Sequence, residues 1–319
     1  MPEPQTKSKI KSYLLRAAAV GFIGLCWFLG FFNRGHQAVG PILEPVAQFD
    51  HPKMEEVSGL VWGDGVLWAH NDSGNEPQLF ALSVDGKVLT PKGINVEGAT
   101  LKDWEAVARW ENDLYVTELG NNLNASKNLG VYKIAEPTEP SKSTSVKPEG
   151  FYEITYPDQT GFPPTDRWEF DCEAAFCWNN KLYVLTKNRP AFRMFVQRDT
   201  SNLYSLNLDT LKEKNVLTRV DEVAHLGGWV TGADISSDGN WIVVLCESPV
   251  QSLWLFKRPE EGDRFFSDSP EVRRFIFQKG GQLESVAFAP VKGEEMLVMV
   301  NEEREVFHIS LDRFQKVEP

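Results

Sequence analysis

The sequence predicts an all-β protein, a five-bladed β-propeller, preceded by one N-terminal apolar segment. The first observation is a pair of short apolar strands joined by a polar hairpin, which recurs five times along the chain. The second is a third apolar strand after most of these pairs and a fourth after several, which is the layout of propeller blades. The third is the length of 319 residues, which suits such a ring. A six-bladed ring is less favoured, and an irregular β-sandwich with repeated hairpins is the alternative fold.

The repeats share a register as well as a pattern. Three of them open with Ser58, Glu105 and Glu173, and each opening residue stands nine positions before the leucine of the second strand. A shared offset implies a shared hairpin register, because a slip of one residue would turn every side chain to the other face. The fifth repeat opens with Glu284 and has a longer hairpin. The fourth opens between residues 231 and 234, and we assign Asp234 to it.

The last repeat lacks a fourth strand at the end of the chain. We expect residues 45–49, which precede the first repeat, to supply that strand and close the ring. The propeller domain then covers residues 45–319. Segments 135–150 and 158–167 are rich in proline and polar residues, so we expect them to be exposed loops.

The N-terminal leader has three parts. Residues 1–12 are polar and basic, residues 13–32 are apolar apart from Arg16, and residues 33–44 form a linker. An uncleaved signal anchor is preferred to a cleaved signal peptide, because no small-x-small cleavage site precedes Gly35. The basic residues lie before the apolar run, which predicts a single-pass attachment to the cell membrane with the propeller on the periplasmic or extracellular side. Cleavage would instead give a secreted protein.

Charge and cysteine content exclude several classes of protein. The net charge is −12, which argues against a nucleic-acid partner. Cys172, Cys177 and Cys246 make an odd number outside the leader, so no disulfide framework is expected and buried free thiols are predicted.

The opening residues of the repeats predict a metal site. In a propeller the first strand of each blade lines the central channel, and its start lies at the same mouth as the end of the second strand. Carboxylates that converge there repel each other unless protons or a cation neutralise them. Calcium suits such a ring because it takes six to eight oxygen ligands in irregular geometry, whereas magnesium requires a tight octahedron and zinc prefers histidine and cysteine. A solvated acidic channel without an ion is the alternative. The predicted ligands are Ser58, Glu105, Glu173, Asp234 and Glu284.

Further polar residues are expected at the same mouth. His70 is the one candidate there for a general base near neutral pH. Lys187 and Arg189 could clamp a phosphate or carboxylate, although ordinary surface charges are an equal alternative. The sequence contains no serine-nucleophile elbow, zinc-protease motif or P-loop. The predicted catalytic residues are His70, Asp72 and Glu118. The predicted substrate-binding residues are Asn71, Asn122, Lys187, Arg189, Glu247 and Asn301.

Several segments, taken in order, carry a family resemblance. They include Asn71-Asp72-Ser73-Gly74, Asp103-Trp104-Glu105 and Thr231-Gly232-Ala233-Asp234-Ile235-Ser236. This set resembles a poorly characterised bacterial family of secreted or membrane-attached β-propellers. More distantly, the chain is similar to calcium-activated apyrases, five-bladed propellers that hydrolyse nucleoside di- and triphosphates. That resemblance implies a channel calcium held at Ser58, Glu105, Glu173 and Glu284 and a basic pair near residues 187–189. Several phosphate-facing basic positions of the apyrases have no match.

These observations favour one function and leave two alternatives. The first is a membrane-anchored, calcium-dependent hydrolase of phosphorylated small molecules. The second is a non-enzymatic, calcium-stabilised module that binds a small molecule or a protein. The third is a lactonase-like esterase. The fold alone does not choose among them.

Overall fold

The computed structural model describes residues 40–317. The predicted basic leader, the apolar segment and the first part of the linker lie outside these residues, as do residues 318 and 319. The helices of the described chain are short 3₁₀ turns, and none has the length and hydrophobicity needed to cross a membrane. These turns are Pro52–Met54, Pro140–Lys142, Leu208–Thr210 and Leu311–Arg313.

Residues 40–317 form five antiparallel blades, so the predicted five-bladed, all-β propeller is confirmed. The chain enters through a two-residue strand, β1 (Ala47–Gln48). The first blade runs outwards from the channel as β2 (Val57–Trp62), β3 (Leu67–Asn71), β4 (Gln78–Leu82) and β5 (Ile94–Val96). The second blade consists of β6 (Trp104–Trp110), β7 (Asp113–Glu118), β8 (Leu129–Ala135) and β10 (Gly150–Thr155), with β9 (Ser145–Val146) between the last two.

The other three blades repeat this order. The third blade contains β12 (Cys172–Trp178), β13 (Lys181–Thr186), β15 (Ser201–Asn207) and β17 (Thr218–Val223). Three short strands lie before or within it, namely β11 (Arg167–Trp168), β14 (Arg189–Pro190) and β16 (Lys214–Val216). The fourth blade contains β18 (Gly228–Ile235), β19 (Trp241–Pro249), β20 (Ser252–Lys257) and β21 (Val272–Ile276). The fifth contains β22 (Leu283–Val291), β23 (Glu294–Asn301) and β24 (Glu305–Ile309), and β25 (Gln315–Lys316) ends the described chain.

The ring closes at the fifth blade, where the sequence left a strand missing. β1 pairs antiparallel with β24, with Ala47 opposite Val306. The five inner strands β2, β6, β12, β18 and β22 each contact the next around the channel, and β22 contacts β2. The segment from residue 40 is also ordered against the fourth blade, since Ile42 bridges to Gln278 and Leu43 is buried.

Three outer edges gain an extra strand from another blade or from the C-terminal segment. β9 pairs parallel with β5, β16 pairs parallel with β10, and β25 pairs antiparallel with β21. The segment 135–150, which was expected to be a loop, therefore contains the short strand β9. Such pairing covers backbone groups that a free edge would leave open.

The hydrophobic core of residues 40–317 is divided into five clusters, one between each pair of neighbouring blades. Each cluster joins the facing sides of two sheets, as expected for strands whose two faces are both buried. Trp68 and Trp104, for example, lie in the cluster between the first and second blades. Cys172, Cys177 and Cys246 are buried free thiols, as predicted. This packing fixes the inner strands around the channel and so positions the site.

Candidate metal centre

Each inner strand carries a β-bulge near the end where the chain enters it. A bulge leaves one residue outside the ladder and redirects its side chain. The skipped residues are Ser58, Glu105, Glu173, Thr231 and Glu284. Four of these, all but Thr231, line one small cavity of about 10 Å³ on the channel. A volume of that order holds about one water molecule. The cavity therefore has room for one water molecule or one small ion between the acidic side chains.

The fourth-blade position is Thr231, whereas the sequence analysis assigned it to Asp234. The fourth hairpin is longer, because Ile235 pairs with Ile242 where the first blade pairs Trp62 with Leu67. The offset used to align the other repeats therefore does not apply to it. The Asp234 carboxylate is buried and accepts backbone N–H groups of Ile235 and Phe288, each at 2.8 Å. Burial raises its pKa to about 7, against these hydrogen bonds.

The two hydroxyl residues of the ring tie neighbouring blades together. Ser58 Oγ donates to the carbonyl of Glu105 at 3.2 Å. Thr231 Oγ1 donates to the carbonyl of Leu283 at 2.8 Å. Both bonds join the inner strand of one blade to the inner strand of the next, so the bulge positions are fixed relative to one another.

Two aspartates join the ring of glutamates. Asp103 and Asp171 stand two residues before Glu105 and Glu173. The acids form two groups, Asp72 with Asp103 and Glu105, and Glu105 with Asp171 and Glu173. Within each group the ligand oxygens all lie within 4.8 Å of one another. Glu105 belongs to both groups, so it is the residue at which the two meet.

Two basic residues compensate the second group. Arg189 Nη1 lies 2.5 Å from Asp171 Oδ2, and Lys187 Nζ lies 2.9 Å from Glu173 Oε2. Both cations also face the ring of Trp229, at 5.4 Å for Lys187 and 5.3 Å for Arg189. The side chain of Arg189 is 3% exposed, so it is a buried structural cation. The side chain of Lys187 is 13% exposed, which is more than that of Arg189.

The first group has no such compensation. Across residues 40–317, the side chains of Glu105 and Asp103 make neither a hydrogen bond nor an ion pair, while the Asp72 carboxylate accepts only the backbone N–H of Ser73. Burial raises the pKa of Glu105 well above its usual range, and the charges of Glu173 and Asp171 raise it further. Burial, together with Asp72 and Asp171, raises the pKa of Asp103 to about 7. The group must take up protons or a cation to be stable.

Gly120 allows the first group to be this compact. A Cβ at this position would overlap the carboxylates of both Asp103 and Glu105. Glu118 holds the preceding loop, since its carboxylate accepts the backbone N–H groups of Lys102 at 3.1 Å and Asp103 at 3.0 Å. Glu118 therefore positions Asp103 and lies outside the two acid groups.

Glu284 and Glu247 lie around the two acid groups at the mouth. Burial raises the pKa of Glu284 to about 8, against the opposing charge of Lys187. Glu247 accepts a hydrogen bond from Gln251 at 3.2 Å, and burial raises its pKa to about 7. Burial also raises the pKa of Glu302 to about 7. The mouth is thus acidic around Lys187.

The remaining predicted residues serve the scaffold. His70 was expected at the mouth, but it is fully buried beside Gly59 and edge-on to Trp104, with 5.5 Å between ring centroids. Burial lowers its pKa to about 4, so the ring is neutral at physiological pH. Asn71 donates to the carbonyl of Lys53 at 2.6 Å, and Asn301 donates to the carbonyl of Gly280 at 2.9 Å.

The residues that the sequence analysis missed share one position. Asp171 and Trp229 each stand two residues before a bulge residue, as Asp103 does. The repeated Asp-x-Glu spacing at Asp103 and Asp171 was a signal that could have found both aspartates. Asn122 of the second blade accepts a hydrogen bond from Arg189 Nη2 at 3.0 Å, and this contact across blades has no local sequence signal.

Fold and site together define a β-propeller with a buried acidic centre at one mouth of its channel. No family model matches the chain, and no curated protein matches it. Among solved structures, the major allergen Mala s 1 of Malassezia sympodialis is similar at 12% identity, with 83% of this chain and 80% of that chain covered and a TM-score of 0.44. A chain of the Mitotic Checkpoint Complex is 10% identical, with 90% and 94% covered and a TM-score of 0.35. Neither likeness bears on activity.

Proposed function

We propose that the acidic centre binds a divalent cation, and that the cation is calcium. The observation that carries this proposal is Glu105, which is 7% exposed, has no donor in residues 40–317 and belongs to both acid groups. An ionised carboxylate in such a place needs a positive partner. The donors in reach are carboxylate and hydroxyl oxygens, which suit a hard cation.

The ring residues would hold the ion in the channel. Glu105, Glu173 and Glu284 line the small cavity with Ser58, and Thr231 occupies the equivalent bulge. Calcium suits this set because it accepts carboxylates, hydroxyls and backbone carbonyls in irregular arrangements. A bound calcium would supply positive charge for a developing negative charge on a substrate oxygen.

We propose further that the protein hydrolyses phosphorylated small molecules. Lys187 supports this, because its ammonium group lies at the mouth among acids and pairs with Glu173 alone, at 2.9 Å. It can donate hydrogen bonds to a phosphate oxygen. A half-buried acid at the mouth can accept a proton from water as the water oxygen bonds to phosphorus, and the bond from phosphorus to the leaving oxygen then breaks. The leaving oxygen takes its proton from solvent.

One observation favours a second candidate, the non-enzymatic binding module. Arg189 was expected to clamp phosphate, but Asp171 and Asn122 already occupy its guanidinium. With Arg189 engaged, Lys187 is the remaining member of the predicted basic pair. In this second account the calcium stabilises the channel and the mouth contacts a partner.

An activity screen separates the two candidates. The full chain would be assayed on nucleotides, phosphate esters and lactones, in calcium and in chelator. Turnover that requires calcium and disappears in a folded Glu105→Gln variant supports the hydrolase. Asp234→Asn is the matched control, since that buried carboxylate accepts backbone N–H groups away from both acid groups. No turnover, together with a calcium-raised Tm, would support the binding module.

We also propose that residues 13–32 anchor the protein in the cell membrane, with the propeller on the extracytoplasmic side. The basic residues before this apolar run support that orientation. Extracellular modules bind calcium with low affinity. An irregular ring of ligands suits a site of that kind. Membrane fractionation and protease access to intact cells test the proposal. A propeller recovered in the cytosolic fraction would contradict it.

A further inference from the structure

We propose that Asp72, Asp103 and Glu105 form a second divalent-cation site beside the channel, which shares Glu105 with the first. This inference rests on the proposed function, because Glu105 is also a ligand of the channel cation. It extends that function from a one-cation site to a two-cation centre bridged by one carboxylate.

The first argument is geometric. Glu105 has ligand oxygens close to two different pairs of acids, Asp72 with Asp103 on one side and Asp171 with Glu173 on the other. The two pairs come from different blades. Asp72 follows β3 of the first blade and Asp103 precedes β6 of the second, whereas Asp171 and Glu173 belong to the third. Within each group the ligand oxygens lie within 4.8 Å of one another, which is close enough for each group to hold a cation of its own.

The second argument is the distribution of charge. The Asp171 side of Glu105 already holds two cations of the protein, Arg189 at 2.5 Å from Asp171 and Lys187 at 2.9 Å from Glu173. The Asp103 side holds none, since no lysine or arginine nitrogen of the described chain lies within ion-pair distance of Asp72, Asp103 or Glu105. The fold therefore places cations of its own beside Asp171 and Glu173 but none beside Asp72, Asp103 and Glu105, so an external cation has most to compensate in the second of these groups.

The third argument is the unpartnered, buried Glu105 itself. It is 7% exposed and lies within 4.8 Å of the ligand oxygens of both acid pairs, with no donor anywhere in residues 40–317. The backbone around it is fixed in advance: Gly120 donates its N–H to the carbonyl of Asp103 at 3.2 Å, and Asp72 donates to the carbonyl of Glu56 at 2.9 Å. Ligands held by such bonds need little reorganisation to bind an ion.

The donor set defines the class of ion. Three carboxylates from separate segments offer oxygen only, which favours calcium, magnesium or manganese over zinc. Three ligands leave coordination positions for water or for a phosphate oxygen. Paired cations are used in hydrolases to bind both the attacking and the leaving oxygen, so a second cation would suit the proposed phosphate substrate.

The test is the number of calcium ions that the full chain binds, measured by calorimetric titration of chelator-treated protein. We expect two per chain for the wild type and one for Asp103→Asn, with at least a tenfold loss of affinity at the second site. Asp72→Asn is the second variant, because a half-buried loop residue is easier to replace without unfolding. Asp234→Asn is the control and should retain two.

The outcomes separate the two proposals. A wild type that binds a single ion, with Asp103→Asn unchanged, overturns the second site and leaves the channel cation standing. Two ions retained by both folded variants, Asp103→Asn and Asp72→Asn, also overturn it. A wild type that binds no calcium overturns the channel cation as well, and the proposed function with it.

Discussion

The ammonium of Lys187 lies 2.9 Å from the carboxylate of Glu173, so the third blade carries a cation for its own bulge residue. Glu105 occupies the same position in the second blade, where the chain exits β7 into Leu119 and Gly120 and offers no charge. The two carboxylates occupy equivalent positions in the fold, but only the Glu173 carboxylate has a cationic side chain beside it. That difference is the basis of the predictions below.

Replacing Glu105 by glutamine should separate the stability of the protein from its cation binding. In chelator at pH 8 we expect Glu105→Gln to raise the free energy of unfolding by about 1–3 kcal/mol, because it removes a buried acid that must either carry a charge without a partner or take up a proton. Wild-type protein should gain about 2.7 kcal/mol from calcium at one hundred times its Kd, and the variant should gain far less. Thermal unfolding in calcium and in chelator measures both effects. A variant that is destabilised in chelator and stabilised by calcium as much as wild type would refute the assignment.

The cation-free protein should lose stability as the pH rises from 6.5 to 8.5. Burial raises the pKa of Asp103 to about 7 and that of Glu284 to about 8, so the folded state binds more protons than the unfolded state in this range. The free energy of unfolding then falls with pH, because its slope follows the protons bound by the unfolded state minus those bound by the folded state. His70, with its pKa lowered to about 4 from about 6.5, gives the opposite slope, which fades as the pH rises above 6.5.

Urea unfolding in chelator at pH 6.5, 7.5 and 8.5 measures this dependence. Saturating calcium should flatten or reverse it, because the cation replaces the protons. Stability that stays level or rises with pH in chelator would mean that the acids are compensated in some other way.

A methyl group at Gly120 should damage the centre while every ligand residue is kept. Its Cβ would overlap the carboxylates of Asp103 and Glu105, which must then separate. We expect Gly120→Ala to cost about 1–3 kcal/mol of stability from crowding and to weaken calcium binding by at least tenfold. Gly150→Ala is the control in the same blade, because the nearest atoms to its Cβ belong to the side chain of Tyr152, at 3.2 Å and beyond. Equal calcium affinity in the two variants would contradict the expected geometry.

Closure of the ring predicts where the N-terminal segment contributes to stability. Phe49, which directly follows β1, is 1% exposed, and Val46, which directly precedes β1, is 55% exposed. We expect Phe49→Ala to cost about 3–5 kcal/mol and Val46→Ala to change stability by less than about 0.5 kcal/mol. Chemical unfolding of both variants measures this. Similar small losses would show that the first segment is not part of the closed ring.

Most of the fold was predictable from the sequence because its signals are local. Alternating apolar strands and a constant offset placed Ser58, Glu105 and Glu173 in one register, and the bulges in the structure fall on these residues. The missing last strand predicted that β1 would complete the fifth blade. The strands that cross to another blade, such as β9 and β16, are two or three residues long and leave no periodic signal.

The site was predictable only in part, because contacts between blades decide it. Because the fourth hairpin is longer than the first three, its bulge residue was assigned from the sequence as Asp234 instead of Thr231. Pairing of Arg189 with Asp171 depends on how a segment of the third blade folds back over its own inner strand. The residue that was predicted to clamp phosphate therefore forms a buried ion pair. Burial of His70 depends on Trp104 from the next blade. None of these contacts has a signature within one repeat.

The most direct test of the account is a crystal structure of the protein grown in calcium, with anomalous scattering used to locate the ion. The account predicts a calcium peak at the channel mouth, bonded to the carboxylate of Glu105 and to Glu173 or Glu284. Crystals grown in saturating calcium that show no anomalous peak near Glu105 would contradict it. A Glu105 carboxylate turned away from the channel would contradict it as well.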